Sequence, residues 1–262
     1  MLLDILCFSF YVAASAVIVN GLFHHKGPNR RLSFVLVSAA IGLHLVILNG
    51  DIFIEPGQNM SMLNVASLIA WLISVTMLVA SFSMPNTILL PVVFGFTSIV
   101  VLLNSIVPDS HIMHINVQPA LLVHISLALF AYACLGIALL YAMQLSYINM
   151  RLKEKKASLL HSSLPPLMAV EGILFKLLLV GTILLSMSLI SGFMFLGDMF
   201  AKEQAHKTVL SILAWVVFTS MLVGHFKFGW RGKPIIAATI LGSVLLTLAY
   251  FGSRFVKEVI LN

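Results

Sequence analysis

Long apolar runs broken by short polar segments dominate the chain. A helix needs about 20 residues to cross a hydrocarbon core of about 30 Å, and inside hydrocarbon the backbone can satisfy its polar groups only within its own helix. The pattern therefore predicts an all-α membrane bundle of eight spans, near 2–23, 32–50, 62–82, 87–106, 118–148, 172–196, 208–227 and 234–254. The fifth is the longest, about 45 Å at 1.5 Å per residue, and should project from the bilayer at one end. Its RLKEKK continuation can extend the helix into water until Pro165 and Pro166 stop it. Pro85 and Pro91 leave the join between the third and fourth spans adjustable, with Pro91 either in a first turn or at a kink. The outer loops, roughly 51–61, 107–117 and 197–207, are too short for folded modules, so 1–262 reads as a single integral membrane domain.

Two spans carry polar stripes at helical spacing. Asn64, Ser67, Trp71 and Ser74 share one face of the third, and Ser243, Thr247, Tyr250 and Arg254 share one face of the eighth. Turning such groups toward acyl chains is costly, so both faces should look inward. Hydrogen bonding between helices, a solute pathway and a cofactor cavity all remain open for them.

Composition strengthens the membrane reading: hydrophobic residues make up 60% of the chain, charged residues 9%, and mean hydropathy is +1.08. Ten of the 15 basic residues fall in the loops after odd-numbered spans, and Lys176 lies just inside the sixth; Lys202, Lys207, Arg254 and Lys257 fall opposite. The richer side is expected in the cytoplasm, with both termini outside. The net charge of +6 is thus orientation, and no basic stretch interleaved with aromatics suggests nucleic acid. Asp4 replaces the basic leader of a cleavable signal, so the first run reads as a retained span. Cys7 and Cys134 form no CxxC pair and suit packing. No nucleophile triad or phosphate-binding loop favours a classical turnover enzyme.

The candidate chemistry lies in histidines. His44 sits roughly two turns before the outer end of span two, and His124 roughly two turns after the outer start of span five. At similar depth they could ligate opposite faces of a flat cofactor; haem fits, since imidazole is an axial ligand and apolar walls cover the macrocycle. Arg254 could neutralise a haem carboxylate, Tyr250 could donate a hydrogen bond, and Trp71 could pack on the ring. The alternative for each histidine is a satisfied buried imidazole. His225 lies at the inner end of span seven, where an interfacial hydrogen bond competes with a second cofactor-associated site. His111 and His114, near Asp109, read as an ordinary polar loop. Solvation accounts for His24, His25 and His161.

The segments LLVHISLALFAYACLGIALLYAMQL, SGFMFLGDMF, HKTVLSILAWVVFTSMLVGHFKFGWRG and LTLAYFGSR resemble the YpjD-type inner-membrane branch of the cytochrome c assembly (CcsA/CcmC-like) superfamily. That resemblance implies a bacterial inner-membrane location, contact with lipid and cytochrome-assembly proteins, and haem b as cargo. It aligns His124 with an external-side haem-ligand histidine and His225 with the histidine at the inner end of the span after the external haem loop. Two departures weigh against full haem export: GDMFAKEQAHKTVLS lacks the Trp-x-Trp-Asp pattern, and the chain ends soon after Tyr250 and Arg254, where such proteins often continue to another histidine. The leading expectation is a haem-binding or haem-handling accessory protein. A small-solute or ion transporter and a non-catalytic scaffold are the competing readings.

Overall fold

A computed structural model describes residues 1–22, 24, 27–54, 57–84, 86–107, 112–113, 119–153, 165–195, 205–252 and 255. The helices are α1 (Leu2–Leu22), α2 (Arg30–Ile52), α3 (Met62–Ala80), α4 (Leu90–Ile106), α5 (Pro119–Lys153), α6 (Leu167–Phe195), α7 (Ala205–Phe228) and α8 (Lys233–Thr247), the last continuing as a π-helical turn, Leu248–Gly252. Among the described residues, seven helices are long and apolar enough to cross a membrane, and α4 is a shorter apolar helix of 17 residues. The expected boundaries hold to within about five residues. The largest shifts are at the end of α5, which runs on to Lys153, and at the start of α6, which begins directly after Pro165 and Pro166. Proline's fixed φ suits a helix start as well as it blocks helix continuation, so the pair that stops one element launches the next.

The fold is all-α, with one small addition. Segments between α2 and α3 and after α4 form a small antiparallel sheet, β1 (Phe53–Ile54), β2 (Gly57–Asn59) and β3 (Ile112–Met113), with Phe53 opposite Gln58 and Asn59 opposite Ile112. Two- and three-residue strands are too short to show alternation in sequence. Pro91 resolves to the first turn of α4, where its missing N–H costs nothing.

The chain divides into two compact units, 1–116 and 117–262. In the first, α1 packs on α2 and α4, and α3 completes the ring by packing on both of those. In the second, α5 packs on α6 and α8, and α7 closes the ring. Helix association in lipid depends on close packing rather than exclusion of water. The α5–α6 seam shows this: Ala131, Ala138 and Ala142 are buried, and a side chain at Gly181 would run into Leu135 and Cys134.

Candidate functional site

In the first unit, polar side chains from all four helices meet in the interior. The Tyr11 hydroxyl lies 3.3 Å from His44 Nδ1, and Ser67 Oγ lies 2.8 Å from His44 Nε2. Ser74 and Thr97 hydroxyls bond at 2.9 Å, and Trp71 Nε1 donates to the Ile41 carbonyl at 3.0 Å. Asn64 Nδ2 donates to the carbonyls of Asp51 and Asn59, fastening the start of α3 to the end of α2 and the sheet. The polar stripe of span three thus serves as interhelical hydrogen bonding, with Asn64, Ser67 and Ser74 all buried. His44 is wholly buried with both ring nitrogens engaged; as an iron ligand it would have to give up Ser67 or Tyr11. Trp71 braces α2 against α3 through its indole N–H.

His124 is held differently. On α5 it points at the last turns of α6: Nδ1 lies 3.0 Å from the Ser188 carbonyl oxygen and 3.1 Å from Ser191 Oγ, and it is partly exposed. A carbonyl oxygen can only accept, so Nδ1 carries the proton and a neutral ring leaves its lone pair on Nε2. Among the described residues, Nε2 has no hydrogen-bond partner. An imidazole whose second nitrogen is oriented by a backbone carbonyl is the arrangement that metal-binding histidines use. The nearby Val123, Ile190, Phe193 and Met194 leave apolar surface exposed at this end of α5 and α6. Among the described residues, no group of three or more His, Cys, Asp or Glu is placed to hold a bare metal ion.

Tyr250 stands in the π-helical turn, edge-on to Tyr132 (ring centroids 6.3 Å apart) and to Phe251 (5.1 Å). The Tyr132 hydroxyl donates to the Leu246 carbonyl, tying α5 to the end of α8. The π turn breaks the regular spacing assumed for the eighth-span stripe: Thr247 bonds the Ser243 carbonyl of its own helix, and Arg254 lies outside the described residues, as do Asp109, His111 and His114.

At the opposite end of the second unit, His225 stacks on Phe175 of α6, with centroids 3.3 Å apart and planes at 15°. Its Nδ1 lies 2.9 Å from the Trp230 carbonyl oxygen. Gly229 makes this possible: at φ 68° it ends α7 in a left-handed cap whose N–H returns to the His225 carbonyl. Trp230 then folds over Gly224, where a β-carbon would strike its indole. Arg231 Nε reaches Glu171 Oε1 at 3.5 Å, with Glu171 buried. Same-helix spacing offers Glu171 only Lys176, five residues on, and cannot find this partner; the glycines at 229 and 232, both at positive φ, mark the turn that brings Arg231 to it.

The chain matches the Cytochrome C assembly protein family over residues 32–261. It is 39% identical over 252 residues to "Inner membrane protein YpjD" of Escherichia coli strain K12, covering 95% of each chain. It is also 24% identical over 172 residues to "Protein HemX" of Brevibacillus brevis, covering 63% of this chain and 62% of that one. No solved structure matches it significantly. Its apolar helices, its ordered succession of spans and these matches make it a multi-pass inner-membrane protein that belongs to the cytochrome c assembly family, in the YpjD-type branch.

Proposed function

We propose that this protein captures haem b in the membrane and passes it to a cytochrome-assembly partner, with His124 as the iron ligand. The observation that carries the reading is the His124 ring, whose proton is fixed on Nδ1 by the Ser188 carbonyl so that Nε2 presents a lone pair. Haem, when bound, supplies an iron with an axial position for imidazole and an apolar plate bearing carboxylates. Ser188 and Ser191 orient the ligand, apolar side chains at the ends of α5 and α6 cover the plate, and Tyr250 and Arg254 serve its polar edge. His225, set in its Phe175 stack, belongs to a second, inner station in this scheme. His44, in the first unit, is the costlier ligand, since it would exchange an internal hydrogen bond for iron. Trp71 supports it by holding α2 against α3. Release is an exchange of the His124 ligand, so the protein acts as a handler rather than a turnover enzyme.

The test is purification in mild detergent from haem-replete cells, with wild type beside His124→Ala. Wild type should carry a Soret band, and the variant, folded to the same extent by circular dichroism, should lose at least about nine-tenths of it, a change of about 1.4 kcal/mol or more in binding. A folded wild type that stays colourless after haem is supplied would reject the reading, as would an unchanged band in His124→Ala.

A further inference from the structure

The end of the first unit where α1 and α3 finish and α2 and α4 begin encloses a half-open cavity of about 330 Å³. Its floor is apolar and buried, formed by Ile18, Val37, Leu90 and Phe94. Its rim carries Arg30 and Arg31, both exposed, in the first turn of α2. No acidic side chain lines it, and among the described residues neither arginine has an acidic partner. The positive end of the α2 dipole adds to the same field. We propose that this cavity binds the headgroup and upper acyl region of an acidic phospholipid.

The chemistry favours that occupant over a free anion. Two guanidinium groups suit a phosphate diester, which they can grip through paired N–H donors. An apolar floor directly below them gives inorganic phosphate nothing but suits glyceryl and acyl carbons. Beside the mouth, Phe34 and Phe82 meet edge-on at 5.6 Å and remain exposed, with Val35 alongside, so acyl chains can continue from the cavity along a hydrocarbon-facing surface. The basic loops expected on the cytoplasmic side include this one, and the cytoplasmic leaflet is where acidic lipids meet juxtamembrane Lys and Arg. A side chain at Gly21 would overlap Pro28, so Pro28, which lines the cavity, can approach the end of α1 this closely only with glycine there.

The test is native mass spectrometry, with a thermal-shift assay alongside, of the full chain in detergent with added phosphatidylglycerol or phosphatidylcholine. Phosphatidylglycerol should bind at least about tenfold more tightly, the equivalent of about 1.4 kcal/mol. Arg30→Gln with Arg31→Gln should reduce that preference to within about twofold, and so should Thr87→Trp, which fills the mouth without touching charge. Lys233→Gln, an exposed cation at the start of α8 in the other unit, should leave the preference intact. Equal binding of the two lipids would overturn the proposal, as would a preference that survives the double arginine variant. Displacement of phosphatidylglycerol by glycerol phosphate at equal concentration would also overturn it, by showing a site for a free anion.

Discussion

Each unit closes a ring of four helices, and the two differ in how fully their buried polar atoms are partnered. In the first, side chains bond across helices: Tyr11 to His44 to Ser67, Ser74 to Thr97, Trp71 to Ile41 and Ser15 to Pro91. In the second, many hydroxyls return to their own helix, Thr182 to Leu178, Ser186 to Thr182 and Thr239 to Ile235. There the Tyr141 hydroxyl, both polar atoms of Gln144, and the Thr219 and Ser243 hydroxyls are buried without partners among the described residues. A cross-linked interior resists rearrangement, whereas one with unspent donors and acceptors has chemistry left for water or a ligand. The two histidines follow their surroundings: His44 is engaged at both nitrogens and His124 at one.

The largest effect should come from breaking the first unit's network at its centre. His44→Ala removes an imidazole that is fully buried and strands both Tyr11 and Ser67. Membrane hydrogen bonds average about 0.6 kcal/mol, but the cavity adds a larger penalty, so we expect a loss of about 3 kcal/mol in reversible unfolding. His124→Ala, partly exposed and without a filled shell around it, should lower stability by less than half as much. Equal losses would erase the distinction between the units.

A smaller change of opposite sign should appear in the second unit. Gln144→Leu replaces a carboxamide that is 4% exposed and, among the described residues, unpartnered at both ends. Removing an unsatisfied buried amide should stabilise the fold by about 1 kcal/mol, read as a higher thermal midpoint. Ser67→Ala in the first unit should lower it. A destabilised Gln144→Leu protein would mean that the amide is in use by water or by a ligand.

The contrast was legible in part from sequence. The 3–4 spacing of Asn64, Ser67 and Ser74 located the first network because every member lies on one regular helix. Its other half, Tyr11 and Thr97, gave no such signal, being single polar residues in runs whose facing is set by packing. His124 stood out by depth, but its tautomer is fixed by a backbone carbonyl, and a carbonyl has no sequence identity. The eighth-span stripe departs from regular helical spacing because the helix widens to π geometry at Leu248, which shifts the angular phase of Tyr250. The Glu171–Arg231 pair depends on a turn that brings distant residues together, which same-helix spacing rules do not reach.

The finest test separates the two partners of His124. Ser191 Oγ and the Ser188 carbonyl both lie near Nδ1, and Ser191 itself donates to that carbonyl at 2.8 Å. If the carbonyl alone sets the tautomer, Ser191→Ala should leave the proton on Nδ1 and the lone pair on Nε2. Stability should then change by only about 0.5 kcal/mol, and haem retention should stay within about threefold of wild type. If Ser191→Ala instead bleaches the protein as fully as His124→Ala, the hydroxyl is what orients the ring. His124 would then depend on a side-chain partner just as His44 does, and the difference drawn between the two histidines would narrow to their exposure.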